Sequence, residues 1–263
     1  MQEPTFHLTQ DQIDFYRREG YLSIERLTTP EDVAKLRVSY DRIFDQQAGR
    51  DTGDQFDLAG TDEDGKKAAL PQILNPAKYA PEMDESLLLA NAKALVCDLF
   101  GPKAMMSFGH AILKPAGIGA PTPWHQDAAY WPGHLDYVDQ ISIWVPLQDT
   151  PVEMGCMQFV PRSHQDGQIA RHQHINNDPR IHGLELPADE MHRVKDVAVC
   201  PLPAGGATVH GGYTLHYTAP NRSTGPRRAL ILTGGLPATK RTTVLVHKWQ
   251  EEERSSHTEK KKA

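Results

Sequence analysis

The sequence predicts a mainly β domain with flanking helices, built as a sandwich or a barrel. In the first hundred residues the apolar side chains recur at spacings of three and four, which is the period of a helix. After Gly101 they alternate with other residues in many short runs separated by Gly and Pro, which is the period of a strand. The length of 263 residues suits one large domain, which we expect over residues 1–249.

Three helices are expected within about residues 9–100. Thr9 and Thr29 can each cap the start of a helix through a side-chain hydroxyl. The third helix is expected from about residue 81 to residue 100. Gly101 suits its end because glycine readily adopts a left-handed backbone conformation.

Strand alternation is clearest in two segments after Gly101. In the first segment one face carries Phe108, His110, Ile112 and Lys114. In the second segment one face carries Ile141, Ile143, Val145 and Leu147. Shorter strand signals lie at residues 157–160, 197–202, 207–210, 215–218, 229–233 and 242–246.

Three stretches break the periodic pattern. Residues 50–66 are acidic and rich in Gly, which predicts a loop. Residues 163–196 are polar and rich in His and Arg, which predicts a long loop or a lid over a binding site. Residues 250–263 are rich in Glu, Ser and Lys, which predicts a disordered tail.

Composition argues against several classes of protein. The net charge is -6 and the basic residues are scattered, so no nucleic-acid partner is expected. The three cysteines lie far apart, which argues against a disulfide framework and a thiolate zinc site. No apolar run reaches the roughly 20 residues of a membrane span, and no secretory signal is recognisable. We expect a cytoplasmic protein without a membrane partner, and the sequence predicts no oligomeric state.

A His-x-Asp step can supply two metal ligands, because residues i and i+2 of a strand project to the same side. The chain contains this step at His125/Asp127, His134/Asp136 and His164/Asp166. The second and third steps lie in sequences typical of surface turns. The first lies among the aromatic residues of segment 123–131, which can seal a pocket from water. We therefore choose His125 and Asp127 as candidate ligands.

A third ligand must come from a distant strand, and segment 205–228 offers His210 and His216. His216 is the better candidate because it lies within an apolar strand signal. His210 is interpreted as a strand residue whose ring is satisfied by a nearby carbonyl group. Two imidazoles and one carboxylate are the set that non-haem iron(II) oxygenases use.

A cosubstrate with two carboxylates would suit the residues that follow His216. The turn at residues 221–226 can fold Arg227 back beside His216 on the neighbouring strand. One carboxylate would then chelate the metal while the guanidinium of Arg227 binds the other. Thr218, on the same strand face as His216, could donate its hydroxyl to that second carboxylate. Either Arg227 or Arg228 could equally be an ordinary surface charge.

Together these residues resemble the phytanoyl-CoA dioxygenase family of iron(II)- and 2-oxoglutarate-dependent enzymes. The resemblance is carried by Trp124-His125-Gln126-Asp127, by segment 155–164, and by His216 followed eleven residues later by Arg227. It covers nearly the whole chain. It implies a double-stranded β-helix core, the jelly-roll or cupin-like fold, over about residues 101–249.

The resemblance also implies roles for individual residues. The iron ligands would be His125, Asp127 and His216. Arg227 would bind the distal carboxylate of 2-oxoglutarate, with Thr218 beside it. Further contacts in the cosubstrate pocket would come from His110, Gln72 and Trp144.

The implied reaction consumes 2-oxoglutarate and dioxygen, releases succinate, and hydroxylates an unactivated C–H bond of a small molecule, with ascorbate as a candidate reductant. Related halogenases carry Gly or Ala in place of the carboxylate, so Asp127 favours hydroxylation or another oxidative outcome. The Arg and His residues of segment 163–196 suggest an anionic substrate, although nearby carboxylates nearly balance them.

Two other interpretations stay open. Two imidazoles and a carboxylate also suit zinc or manganese, so the chain could be a jelly-roll isomerase or hydrolase. It could also be a catalytically silent binding protein on the same scaffold. Loss of turnover without dioxygen would separate the first from an oxygenase, and succinate release would exclude the second.

Overall fold

The computed structural model describes residues 2–63 and 66–262 of the chain. Its α-helices are α1 (Gln10–Glu19), α2 (Pro30–Asp45), α3 (Leu87–Phe100), α4 (Lys248–Glu252) and α5 (Ser256–Lys262). Its strands are β1 (Tyr21–Ile24), β2 (Gln55–Asp57), β3 (Pro71–Leu74), β4 (Met105–Lys114), β5 (Thr122–His125), β6 (Leu135–Asp136), β7 (Gln140–Pro146), β8 (Met157–Phe159), β9 (Gln173–His174), β10 (Leu184–Glu185), β11 (Ala198–Cys200), β12 (Ala207–Gly211), β13 (His216–Thr218), β14 (Arg227–Gly235) and β15 (Thr239–Lys240).

The helix starts follow from local capping. The hydroxyl of Thr9 accepts a hydrogen bond from the backbone N–H of Gln12, and the side chain of Gln12 accepts one in return. Thr29 caps α2 in the expected way. The predicted start of the third helix was wrong, because Pro81–Glu85 form a separate 3-10 helix and extended Ser86 caps α3. No helix of the described residues is both long and apolar enough to cross a membrane.

Two antiparallel sheets form the core. The large sheet has the strand order β1-β12-β7-β14-β4-β3-β2, and the small sheet has the order β11-β8-β13-β5. Side chains from both sheets share one apolar cluster, so the sheets pack face to face. The mainly β prediction with a jelly-roll core and flanking helices is confirmed. The strand signal at residues 242–246 was wrong, since no strand forms there.

The helices cover the outer face of the large sheet. Tyr40 of α2 and Leu95 of α3 share an apolar cluster with Ile143 of β7. In β7 the neighbouring residues Ser142 and Trp144 point the other way, into the space between the sheets. The alternation predicted for this strand is thereby confirmed, and it leaves the inner face free to line a cavity.

The alternation predicted for β4 fails at one point. His110 is paired with Ile231, while Phe108 is paired with the next residue, Leu232, so Gly109 is an extra residue in β4. A β-bulge of this kind reverses the faces of the residues on its two sides. Phe108 therefore packs with the helices, whereas His110 lines the inner cavity.

The three segments predicted to lack regular structure are all partly regular, and residues 163–196 contain the short strands β9 and β10. Residues 50–66 contain the buried strand β2, although residues 64 and 65 lie outside the described part of the chain. The tail at residues 250–263 was predicted to be disordered, but α5 forms there up to residue 262, and residue 263 lies outside the described part. The prediction from composition was wrong because the tail is held by residues that are remote in sequence. Its side chains bond to groups far along the chain, as when the Gln250 amide donates to the carbonyl oxygen of Ala129.

Candidate metal and cosubstrate site

Three potential ligands meet where β5 and β13 pair. His125 ends β5 and lies directly opposite His216, the first residue of β13. Asp127 follows two residues later in a short 3-10 helix. Its Oδ1 lies 3.7 Å from Nε2 of His125 and 3.4 Å from Nε2 of His216. One ligand atom from each residue lies within 4.8 Å of the others, a separation that one metal ion can bridge.

Backbone carbonyl groups orient both imidazoles. Nδ1 of His125 lies 2.7 Å from the carbonyl oxygen of Pro123, and Nδ1 of His216 lies 2.9 Å from that of Thr214. A carbonyl oxygen can only accept, so Nδ1 must donate in each ring. The lone pair is then on Nε2, which faces Asp127, and this is how metal-binding imidazoles are usually held.

The pKa shifts of His125 and Asp127 favour the neutral imidazole and the ionised carboxylate that a divalent metal needs. Burial lowers the pKa of His125 well below its usual value, and the adjacent His216 ring lowers it further. Burial alone would raise the pKa of Asp127, but the His216 and His210 rings outweigh burial and hold this pKa well below its usual value. The residues present therefore fit iron(II).

The second oxygen of Asp127 has different neighbours. The hydroxyl of Ser142 donates to Oδ2 over 2.7 Å, and Nε2 of His210 lies 3.3 Å from the same atom. Neither ring nitrogen of His210 completes a well-aligned hydrogen bond with a described residue, although the side chain is only 4% exposed. The prediction that a carbonyl group satisfies His210 was wrong.

Arg227 reaches the same cavity, but not as the sequence suggested. We expected it beside His216 on a neighbouring strand. Instead β14 lies in the large sheet, while β13 lies in the small one. The segment between them crosses from one sheet to the other, so Arg227 faces the cavity from the opposite wall. Its guanidinium carbon lies 5.3 Å from the centre of the Trp144 ring, a cation–π contact.

The Arg227 side chain has no acidic partner among the described residues. It is 1% exposed, its Nη1 donates to the carbonyl oxygen of Gly155, and its Nε has no hydrogen-bond partner there. Burial lowers its pKa to about 10, which still leaves it a cation at neutral pH. Lys114 lies directly across from it on β4, and its partners among the described residues are the carbonyl oxygens of Thr218 and Ala219. A buried cation without a carboxylate is costly, so this pocket suits an anionic ligand.

The sequence-based site residues all line one cavity of about 380 Å³. They are Gln72, His110, His125, Asp127, Trp144, His216, Thr218 and Arg227. The hydroxyl of Thr218 donates to that of Thr122 across β13 and β5. Burial lowers the pKa of His110 to about 4, so its ring is neutral at pH 7.

Several lining residues were missed by sequence reasoning. They are Tyr130, Trp131, Tyr137, Gln140, Ser142, His182 and Thr233. The alternation in β7 already put Ser142 on the inner face, and segment 123–131 already contained two of the aromatic residues. His182 belongs to the predicted lid segment 163–196, but no sequence signal singled it out from the other histidines there, and none pointed to Thr233.

The two rejected His-x-Asp steps are held elsewhere. Asp136 accepts a hydrogen bond from Arg241, and Nε2 of His164 contacts the carbonyl oxygen of Arg17. None of the residues of these steps lines the cavity. The choice of His125 and Asp127 over the other two steps is consistent with this geometry.

Comparisons with known proteins identify the family of the chain. The family model described as "Phytanoyl-CoA dioxygenase (PhyH)" matches residues 16–229. A protein of Stutzerimonas stutzeri named "Probable alpha-ketoglutarate-dependent hypophosphite dioxygenase" is 26% identical over 218 residues, covering 82% of this chain and 75% of that protein. Phytanoyl-CoA dioxygenase domain-containing protein 1 of Danio rerio is 28% identical over 263 residues, covering 84% of this chain and 87% of that protein.

A solved structure resembles the chain over nearly its full length. The crystal structure of EvdO2 from Micromonospora carbonacea var. aurantiaca complexed with 2-oxoglutarate superposes with a TM-score of 0.77. Its sequence identity is 30%, and the match covers 94% of this chain and 99% of that chain. This neighbour binds 2-oxoglutarate on the same fold.

Proposed function

This chain belongs to the phytanoyl-CoA dioxygenase family, and from that premise we propose that His125, Asp127 and His216 bind the iron of a 2-oxoglutarate-dependent oxygenase. The oxygenase class itself follows from the family and its relatives. The roles of the three residues rest on one observation, the meeting of their ligand atoms within 4.8 Å. All three residues line the cavity, where the cosubstrate and dioxygen would also bind.

We propose that Arg227 binds the distal carboxylate of 2-oxoglutarate. Its support is the buried guanidinium that lacks an acidic partner among the described residues. Trp144 holds the guanidinium from one side and Thr218 lies on the same cavity wall as His216. A planar fork of N–H donors matches a carboxylate in two places, so Arg227 would fix both the position and the rotation of the cosubstrate.

Iron(II), 2-oxoglutarate and dioxygen supply the oxidising chemistry when bound, with loss of carbon dioxide, formation of succinate and hydroxylation of a C–H bond. The protein positions the reactants. Arg227 would bind one end of 2-oxoglutarate, and the metal held by His125, Asp127 and His216 would bind the other end. The neutral rings of His125 and His110 keep positive charge low around the reacting centre. The aromatic side chains of Tyr130 and Trp131 limit access of water to it.

We propose further that the substrate is uncharged where it enters the cavity. Arg227 is the only Lys or Arg among the described lining residues. His182 also lines the cavity, but its Nδ1 lies 2.6 Å from Oε1 of Glu253, which balances any charge on the ring. The cavity lining also includes aromatic and neutral polar side chains, such as Trp131 and Gln140. Phytanoyl-CoA and hypophosphite, which appear in relatives' names, both carry negative charge and fit this lining poorly.

The cationic residues of segment 163–196 do not support an anionic substrate. Arg171 pairs with Asp189, and Arg180 pairs with Asp178, all away from the cavity. The segment is nevertheless attached to the metal motif, since the side chain of Gln126 accepts from the backbone of residue 170 and donates to that of residue 168. Its role as a lid stays a prediction.

A screen of small molecules for succinate release and for loss of the added molecule tests the oxygenase activity and the uncharged substrate together. The protein is incubated with iron(II), ascorbate and 2-oxoglutarate, and the panel contains matched pairs that differ only in one phosphate or carboxylate. We expect hits to require both iron and dioxygen and to lack the anionic group. Turnover that continues without dioxygen would favour an isomerase or hydrolase using another divalent metal. A hit that depends on its phosphate or carboxylate would contradict the uncharged substrate but not the oxygenase.

A further inference from the structure

The two oxygens of Asp127 have separate environments. Oδ1 faces the Nε2 atoms of His125 and His216 at 3.7 and 3.4 Å. Oδ2 faces away from them, toward the hydroxyl of Ser142 at 2.7 Å and Nε2 of His210 at 3.3 Å. One oxygen is thus placed for the metal, and the other lies against two protein groups that are not candidate ligands.

The large sheet brings Ser142 and His210 together. They are direct cross-strand partners on β7 and β12, so their side chains leave the sheet side by side on the same face. Val209, the neighbour of His210 in β12, packs on the helix side, which fixes His210 on the cavity side. The placement follows from strand register, so both groups are held by the most extensive sheet of the fold.

His210 is also tightly enclosed. Its ring centre lies 4.2 Å from that of His216 and 5.4 Å from that of Phe159, and the side chain is 4% exposed. Buried polar groups are nearly always hydrogen-bonded, yet neither nitrogen of this ring completes a well-aligned bond with a described residue. Hydrogen bonds in empty active sites are often long and become well aligned only when the site is loaded.

We propose that His210 is a positioning residue, which donates from Nε2 to Oδ2 of Asp127 and, together with Ser142, restricts that carboxylate to binding the metal through Oδ1 alone. The inference rests on the proposed iron site. Its chemical consequence is that Asp127 occupies one coordination position rather than two, which keeps neighbouring positions open for the cosubstrate and dioxygen. Removing a residue that hydrogen-bonds to a metal ligand commonly lowers the metal affinity about 10- to 100-fold.

The observed contacts argue against two other roles for His210. A Ser-His-Asp catalytic triad would require Ser142 to bond to the histidine, but its hydroxyl donates to Asp127 instead. If His210 were a fourth metal ligand, it would belong to the group of described residues whose ligand atoms lie within 4.8 Å of one another. That group consists of His125, Asp127 and His216.

Cobalt(II) titration of His210→Phe, His210→Gln and Ser142→Ala tests the proposal. Cobalt(II) is the probe because its visible absorption reports the number of ligands. We expect His210→Phe to weaken cobalt(II) binding about 10-fold and to change the intensity of the visible bands. His210→Gln, whose amide can donate from nearly the same place, should restore both. Ser142→Ala should also weaken cobalt(II) binding. Because this variant removes only one oxygen atom, it still tests the proposal if His210→Phe does not fold.

A matched substitution of a buried histidine away from the cavity serves as the control. His174 is buried, and its two ring nitrogens contact the carbonyl oxygens of Ile181 and Trp249, so His174→Phe should not change cobalt(II) affinity. A purely structural role for His210 would lower the melting temperature of His210→Phe without changing affinity or spectrum, and that result overturns the proposal. His210→Gln binding as weakly as His210→Phe also overturns it. Failure of the wild-type protein to bind cobalt(II) would instead contradict the proposed metal site itself.

Discussion

Replacing His216 by alanine should abolish turnover and remove most of the metal affinity. Its Nε2 lies 3.4 Å from Oδ1 of Asp127 and carries the lone pair, because Nδ1 donates to the carbonyl oxygen of Thr214. Loss of a group one step behind a metal ligand already costs about 10- to 100-fold in affinity, so loss of a ligand should cost more than about 100-fold. Calorimetric titration with iron(II) under anaerobic conditions measures the change.

An exposed histidine provides the control for this substitution. His192 lies on the surface, where its Nδ1 contacts the carbonyl oxygen of Asp189. His192→Ala should bind iron(II) as the wild-type protein does. If His216→Ala retained iron affinity within a few-fold of wild type and remained folded, His216 would not be a ligand.

Replacing Arg227 by methionine should weaken 2-oxoglutarate binding strongly while leaving iron binding nearly unchanged. Methionine keeps most of the apolar stem beside Trp144 and removes the buried charge that lacks an acidic partner among the described residues. Truncating one side of a buried, hydrogen-bonded charge pair costs about 2–5 kcal/mol, or at least about 30-fold in affinity. Titration of 2-oxoglutarate into the iron-loaded protein measures this loss.

The adjacent arginine gives a matched control. Arg228 points to the other side of β14, where its Nε lies 2.5 Å from Oδ1 of Asp41 on α2. Arg228→Met removes the same charge from the same strand outside the cavity, so cosubstrate affinity should not change. An equal loss in both variants would point to damage of β14, and an equal loss of iron and 2-oxoglutarate binding in Arg227→Met would contradict the role of Arg227.

The candidate metal residues could be chosen from sequence because their information is local. His125 and Asp127 lie two residues apart at a strand end, and an aromatic segment surrounds them. His216 was distinguished from His210 by its apolar strand signal. In the structure the ligand atoms of His125, Asp127 and His216 lie within 4.8 Å of one another, and His210 contacts Asp127, which no local pattern indicates.

The remaining features depend on pairing between distant segments. We expected Arg227 near the metal site, but we did not expect its strand to lie in the large sheet. A turn signal in the sequence does not tell which sheet the next strand joins. The bulge at Gly109 changes the face of Phe108, and only the register with β14 reveals it. The ordered tail at α5 depends on contacts with residues about two hundred positions away, such as that between His257 and the carbonyl oxygen of Gly53. The single domain and the cytoplasmic location stay predictions.

The most direct test is the visible absorption of the wild-type protein with iron(II) and 2-oxoglutarate in the absence of dioxygen. The account predicts a weak metal-to-ligand charge-transfer band that appears only when both are present and is absent from His216→Ala. A band that persists unchanged in His216→Ala, or no band when calorimetry shows iron(II) and 2-oxoglutarate both bound to the wild-type protein, would contradict it.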